Sequence, residues 1–269
     1  YAQLARVHDD APIVGRTVEK VEARGKWLLM FFSGDLVLVT HMLMNGTWHL
    51  YRPGERWRRP RSQMRIVVST GEWIAVAFVV PVAQFHTAGS LLRHPAIPRL
   101  GPDLLGTEFA SDEAEIRLRE QGTVEVADAL LDQRVMAGIG NVFKSEICFA
   151  CGVNPFRKVE SLSGTEVTCL LDTARRYLLQ NVAPAHGNAI VTYSGGRRTT
   201  RVADPGARLW VYGRRGKPCR RCGTTIVTRK QGSGARSTYW CPECQPIPTT
   251  ERVEGFGSPV LRRKVGCGS

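Results

Sequence analysis

Residues 219–244 read CRRCGTTIVTRKQGSGARSTYWCPEC, and this stretch decides how the C-terminal part of the chain folds. It contains two Cys-x-x-Cys pairs with 18 residues, 223–240, between them. Each pair can form a tight knuckle that presents two thiolates to a metal ion, and this spacing is typical of structural zinc. The alternative, a pair of redox dithiols, requires a thioredoxin-like βαβ pattern that the neighbouring sequence lacks. The sequence therefore predicts one structural zinc ion with four ligands: Cys219, Cys222, Cys241 and Cys244.

The residues between the two cysteine pairs have the pattern of a β-hairpin. Strand-like segments at 224–229 and 237–240 flank a basic, glycine-rich tip, KQGSGAR, at residues 230–236. Such a tip suits entry into a nucleic-acid groove, but a solvated turn has the same composition, and zinc ribbons also mediate protein contacts. The finger alone therefore leaves its partner open.

A second informative stretch lies upstream, where residues 130–141 read LLDQRVMAGIGN. Gly138 and Gly140 permit positive φ and close backbone approach, so we expect a turn between two helices. Asn141 opens the second helix, whose free N–H groups and dipole attract a phosphate. This pattern indicates a helix-turn-helix element that holds DNA backbone without reading its sequence. An ordinary helical hairpin in a packed core is the alternative.

Hydrophobic periodicity divides the rest of the chain. Residues 15–80 alternate as strands, with hairpins at 26–40 and 64–80, and predict a β-sandwich. Residues 111–180 change to a helical period, which begins with Ser111 as N-cap. The predicted fold class is therefore multidomain α+β. We expect a β-sandwich, a helical DNA-binding domain, a zinc finger and a flexible basic tail at residues 1–105, 106–206, 207–246 and 247–269.

The charge balance favours a polyanionic partner. The chain has 37 Lys+Arg against 24 Asp+Glu, a formal net charge of +13 and a pI of about 9.8. Each phosphate that such a protein neutralises releases counterions, although a merely solvated basic surface is the alternative. Arginines cluster at 56–59 and 197–201 and around the finger, with Trp57, Trp210 and Tyr212 among them. The planar guanidinium suits phosphate oxygens, so these clusters favour nucleic acid.

Composition also bears on the compartment. At 43% hydrophobic residues the chain can bury a core, and it has neither a run of 18 apolar residues nor a signal-peptide pattern. We therefore predict a cytoplasmic monomer without a membrane partner. The four cysteines outside the zinc set are predicted to be free thiols in a reducing compartment: Cys148, Cys151, Cys169 and Cys267.

The motifs together resemble one family, that of formamidopyrimidine-DNA glycosylase and endonuclease VIII. The 131–146 segment resembles the family's helix–two-turn–helix signature, and 209–242 resembles its zinc finger. Three earlier segments are similar to its β-sandwich and to the entry into its helical domain: residues 24–26, 41–46 and 99–103. The resemblance covers residues 12–246. The endonuclease VIII branch is favoured, because the Arg-Arg-Phe-Gly stretch of the other branch is not visible around residues 80–90.

This resemblance implies a DNA repair enzyme that excises oxidised bases and then cuts the strand at the abasic site. Its implied partner is double-stranded DNA that carries oxidised bases or abasic sites. The implied nucleophile is an N-terminal proline amine, which attacks the sugar C1′ before the 3′ and 5′ phosphates are eliminated. This chain begins Tyr1-Ala2-Gln3-Leu4 instead of with Pro-Glu. We therefore expect a preceding segment that holds the nucleophile and the first strand and helix of the sandwich.

The resemblance also implies roles for individual residues. Lys26 is implied to donate a proton during elimination and to hold phosphate, whereas a plain strand-edge lysine is the alternative. Arg236 is implied to bind the phosphates that flank the lesion and to assist the second elimination. The other implied DNA contacts are Asn141 and His41 at phosphates, Met44 as an apolar plug for the vacated base position, and Arg99, Gly140 and Arg198. For Met44, simple core packing is the alternative.

Two other functional hypotheses fit parts of the sequence. A non-catalytic relative that binds damaged DNA without cutting it fits the sequence as it stands, without Pro-Glu. A zinc-ribbon transcription or replication factor fits the finger, but the segments around Lys26 and His41 are not expected in such a protein.

Overall fold

The computed structural model of the protein describes residues 13–182 and 208–247. Within these ranges the chain forms a β-sandwich, a group of helices and a two-stranded finger, in that order. This arrangement confirms the predicted mixed α+β class. The predicted basic tail, Arg198 and Cys267 lie outside the described residues.

The N-terminal part consists of two antiparallel sheets. Its strands are β1 Val18–Arg24, β2 Trp27–Phe32, β3 Leu36–His41, β4 Thr47–Tyr51, β5 Met64–Ser69, β6 Ile74–Phe78 and β7 Val82–His86. One sheet has the order β1-β2-β3-β7 and the other the order β4-β6-β5. Both hairpins predicted within residues 15–80 are therefore present, and a further strand follows them.

The first sheet is covered on both faces, which explains the unbroken apolar runs of β2 and β3. Met30, Phe32 and Leu38 pack toward Val68 of the second sheet. The opposite face is covered by the segment that follows β7, in one buried cluster: Leu29, Val37, Val39, Leu91 and Ile97. The segment that leads to Arg99 is therefore held on the sandwich.

Five helices lie in the described ranges: α1 Ala88–Leu91, α2 Ser111–Arg119, α3 Val126–Leu131, α4 Asn141–Ala150 and α5 Gly164–Val182. Helix α2 begins at Ser111, but Ala110 occupies the cap position, so the predicted Ser111 N-cap is wrong. The chain already turns at Phe109, whose carbonyl accepts the Ser111 N–H at 2.9 Å. None of these helices is long and apolar enough to cross a membrane.

The scattered cysteines differ from the prediction in one respect. Cys151 and Cys169 form a disulfide across a Cα–Cα distance of 5.9 Å, so the free thiols predicted at these positions are wrong. Cys151 ends α4 and Cys169 lies in α5, and the packing of these two helices brings the cysteines together. Cys148 is a free, buried thiol, as predicted.

The finger contains two strands, β8 Val227–Gln231 and β9 Arg236–Trp240, and it packs on α4. The main tie is the buried carboxylate of Glu146, which accepts the backbone N–H groups of Trp210, Val211 and Tyr212 at 2.8–2.9 Å. A second tie is Gln245, which donates to the carbonyl of Val153 at 2.8 Å. Buried hydrogen bonds therefore fix the finger to the helical part.

We expect Glu146→Ala to lower the free energy of unfolding by about 3 kcal/mol or more, because three backbone N–H groups lose a buried, charged acceptor. Urea unfolding followed by circular dichroism measures the change. The matched control is Glu115→Ala, which removes an exposed partner of Arg119 and should cost under about 1 kcal/mol. Equal losses in the two variants would contradict the role of Glu146 in fixing the finger to the helical part.

Candidate functional site

The turn between β1 and β2 lies directly against the helical part. Gly25 has φ +57°, and a Cβ atom added there would lie 2.9 Å from the Cβ of Ala137. The Gly25 N–H donates to the carboxylate of Asp103 at 2.7 Å. This close approach directs the next side chain, Lys26, into the junction, where its Nζ donates to the carbonyl of Ile139.

The turn that receives Lys26 is residues 132–140, and Gln133 shapes it. The Gln133 side-chain amide donates to the carbonyls of Leu131 at 2.8 Å and Ile139 at 3.1 Å, and its oxygen accepts the Gly138 N–H at 3.1 Å. Gly138 has φ +120°, and an added Cβ would lie 2.7 Å from Leu178. Only glycine fits this position, so the predicted two-glycine turn has a steric basis at Gly138.

Gly140 and Asn141 begin the helix that follows this turn. Gly140 is the cap residue of α4 and supplies no side-chain cap, and a Cβ added to it would lie 3.8 Å from Lys26 Nζ. The Asn141 amide donates to the carbonyl of Ser237 at 3.2 Å and to the Tyr212 hydroxyl at 3.4 Å. The uncapped N–H groups of α4 therefore lie between Lys26 and the finger, an arrangement suited to an anion.

Arg236 brings a second cation to this place from the finger. It is exposed at the start of β9, beside the hairpin tip. Burial, with a smaller contribution from the Arg236 charge, lowers the pKa of Lys26 to about 8. The structure therefore brings together Lys26, Gly140, Asn141 and Arg236, four of the predicted site residues, from three separate parts of the fold.

Sequence reasoning missed Lys144, which lies one turn beyond Asn141. Its side chain is fully buried, and its Nζ has no hydrogen-bond partner among the described residues. Burial lowers the pKa of Lys144, while the nearby Asp128 carboxylate opposes this effect. A lysine in a helix usually lies on the solvent face, so nothing in its local sequence signals this burial.

Three other predicted residues lie around the sandwich edge. Burial and the charge of Lys26 lower the pKa of His41, whose Nδ1 accepts the Leu43 N–H at 3.0 Å. Met44 is 85% exposed at the tip of the following loop, so the core interpretation of Met44 is wrong. Arg99 is exposed at the end of a 3₁₀ turn, Ile97–Arg99.

The four cysteines predicted as zinc ligands form one cluster. All four Sγ atoms lie within 4.8 Å of one another, with Cys219–Cys244 at 3.9 Å and Cys222–Cys241 at 3.4 Å. Four sulfurs in a tetrahedron around zinc at about 2.3 Å are roughly 3.8 Å apart. The cluster therefore fits a four-cysteine zinc site.

These features define a class of protein, a DNA-binding fold in which a β-sandwich, a helix–two-turn–helix unit and a zinc finger meet at one basic site. Three family models match the chain in the same order. They are the formamidopyrimidine-DNA glycosylase N-terminal domain at residues 4–79, the formamidopyrimidine-DNA glycosylase H2TH domain at 100–192, and the zinc finger found in FPG and IleRS at 216–247.

Individual proteins give the same result. The chain is 40% identical to a probable endonuclease 8 2 of Streptomyces coelicolor, over 88% of this chain and 82% of that protein. It is 36% identical to the DNA-(apurinic or apyrimidinic site) lyase Nei2 of Mycolicibacterium smegmatis, over 86% and 83%. The fold matches the Lactococcus lactis Fpg in complex with abasic-site DNA at a TM-score of 0.68 and 23% identity, over 87% and 83%. The chain belongs to the formamidopyrimidine-DNA glycosylase and endonuclease 8 family.

We expect an NMR titration of labelled lysine side chains to give Lys26 a pKa of about 8, against about 10.4 for an exposed lysine. Arg236→Gln removes a neighbouring positive charge, so it should raise this pKa. The matched control is Arg52→Gln, since Arg52 is exposed on the sandwich and pairs with Glu72. A Lys26 pKa near 10, or one that both substitutions shift equally, would contradict the described junction.

Proposed function

We propose that this protein excises oxidised bases from double-stranded DNA and cleaves the strand at the resulting abasic site. Family membership supports the reaction class, since a relative at 36% identity is a DNA-(apurinic or apyrimidinic site) lyase. The observation that carries the proposal is the convergence of Lys26, Asn141 and Arg236 beside an uncapped helix N-terminus. A single phosphodiester can face all three groups only if it lies in the junction between the parts.

We assign Lys26 to proton transfer and phosphate binding. When the sugar–phosphate bond breaks, the leaving phosphate gains negative charge, which a neighbouring ammonium stabilises. A lysine with a pKa of about 8 is mostly charged at neutral pH yet gives up its proton more readily than an exposed lysine. As the pH rises through 8, the Lys26 charge is lost, so this contribution to DNA binding and elimination declines.

The remaining predicted residues are assigned to the DNA backbone and the lesion gap. Asn141 and Arg236 would hold phosphates beside the lesion, and the exposed Met44 would fill the position that the extruded base leaves. We retain His41, Arg99, Gly140 and Arg198 as further DNA contacts. Charge-assisted contacts of this kind contribute about 1.5–3 kcal/mol each.

We also propose that the four-cysteine cluster binds one structural zinc ion. The Sγ geometry of the four-cysteine cluster fits tetrahedral zinc, which would keep the two knuckles and the β8–β9 hairpin folded. The ion would hold Arg236 in place and take no part in the reaction. We propose that the protein acts as a monomer on cytoplasmic DNA, with domain limits near residues 105, 206 and 246.

Strand cleavage and borohydride trapping test the proposed reaction. We expect the purified full-length protein to cut a labelled duplex at one 5-hydroxyuracil or abasic site and to form a covalent adduct with abasic DNA on borohydride reduction. Lys26→Gln should slow cleavage more than it weakens binding. Lys20→Gln, which removes an exposed lysine paired with Glu22, should have no effect. Tight binding without cutting or trapping would instead identify a non-catalytic damaged-DNA binder.

We expect Arg236→Ala to weaken binding to an abasic-site duplex about tenfold or more at physiological salt, because one charge-assisted phosphate contact is lost. Fluorescence anisotropy measures the dissociation constant. Arg119→Ala is the matched control, since that exposed arginine pairs with Glu115 on α2. Unchanged affinity in Arg236→Ala would remove the finger from the DNA-binding site, and equal affinity for intact and abasic duplex would favour a zinc-ribbon factor.

A further inference from the structure

Trp27 is the first residue of β2 and directly follows Lys26. Its half-buried ring makes edge-to-face contacts with two histidines from different segments. The ring centroids of Trp27 and His41 are 4.7 Å apart, and those of Trp27 and His94 are 4.9 Å apart. One indole therefore connects the end of β3 with the segment that follows α1.

Each of these histidines holds the loop that comes directly after it. His41 Nδ1 accepts the N–H of Leu43 at 3.0 Å, at the start of the loop that exposes Met44. The second histidine, His94, uses Nδ1 in the same way, but it accepts two backbone N–H groups, from Ala96 at 3.2 Å and Ile97 at 3.1 Å. Those two residues begin the 3₁₀ turn that ends at Arg99.

Both histidines must be neutral to make these contacts, because a protonated Nδ1 cannot accept an N–H. Their surroundings favour the neutral ring. Burial lowers the pKa of His94, and His86 adds to the effect. Burial and the Lys26 charge lower the pKa of His41. The two loops are therefore tied to rings that keep their acceptor atoms and that pack on the same indole.

We propose that Trp27 is a positioning residue, which sets the Met44 loop and the Arg99 turn relative to Lys26 so that these DNA contacts engage a lesion together. The inference rests on the proposed function, because it uses Met44 and Arg99 as DNA contacts. Loops are the least constrained parts of a fold, and pre-ordering them lowers the entropy that binding must overcome. The Trp27 ring supplies that order through its contacts with two histidines.

The test is a set of double-mutant cycles on binding to a duplex with a tetrahydrofuran abasic analogue. We expect Trp27→Leu to weaken binding about tenfold, because two ring contacts and the loop order they support are lost. In the Trp27→Leu background, the fold loss of affinity caused by Met44→Ala or by Arg99→Ala should be at least about threefold smaller than in the wild type. The fluorescence of a 2-aminopurine placed opposite the lesion should also change less when Trp27→Leu binds than when the wild type binds. A smaller change would report poorer insertion of Met44.

The controls separate positioning from general stability. Trp73→Leu removes a partly exposed tryptophan, between β5 and β6, that contacts Arg52. In this background, Met44→Ala and Arg99→Ala should weaken binding as much as they do in the wild type. Trp27→Phe keeps an aromatic ring and should recover most of the affinity. If thermal unfolding shows that Trp27→Leu is poorly folded, Trp27→Met, which fills more of the space but also lacks the ring, takes its place in the cycles.

Two results would overturn the inference, and they differ in what they say about the proposed function. If Met44→Ala and Arg99→Ala each weaken binding in the wild type but their effects simply add to that of the Trp27 substitution, only the positioning role is wrong. If neither substitution weakens binding even in the wild type, the proposed DNA contacts fail, and the role of Trp27 fails with them.

Discussion

The carbonyl oxygen of Ile139 accepts hydrogen bonds from Lys26 of the sandwich and from Gln133 of the helical part. Its direction depends on the preceding residue, Gly138, whose φ of +120° is open only to glycine in this packed turn. The helix that follows carries Asn141 and the carboxylate that fixes the finger. The mutual placement of all three parts therefore depends on the backbone of one turn, and a small shift there would separate the cations from the helix N-terminus.

Electrostatics gives this junction its preference for an anion. Burial disfavours the charged form of Lys26, and repulsion from Arg236 adds a smaller effect, so the pKa of Lys26 lies at about 8. A phosphate placed among these groups would relieve the repulsion, and it would favour proton uptake by Lys26 as it binds.

Features encoded within a short stretch of sequence could be predicted, and features that depend on packing between distant elements could not. Cys-x-x-Cys spacing fixes a metal cluster locally, and the glycines before Asn141 indicate a turn into a helix. The bond between Cys151 and Cys169 depends on how α4 packs on α5, which no local pattern reveals. The burial of Lys144 and the two histidines on Trp27 are equally non-local. The roles of Lys26 and Arg236 were predicted from the family resemblance. That the two residues lie near each other follows from the packing of the sandwich and the finger on the helical part.

We infer that one backbone phosphate beside the lesion faces Lys26 and Arg236 together. This placement can be tested by replacing single phosphates with neutral methylphosphonates along an abasic-site duplex. For the wild type, we predict that one substitution beside the lesion weakens binding about tenfold or more, while distant ones have little effect. The Lys26→Gln, Arg236→Ala double variant should not respond to that substitution. The inference would be contradicted if the double variant lost as much affinity as the wild type on that substitution. It would also be contradicted if substitutions at all positions along the duplex weakened wild-type binding equally.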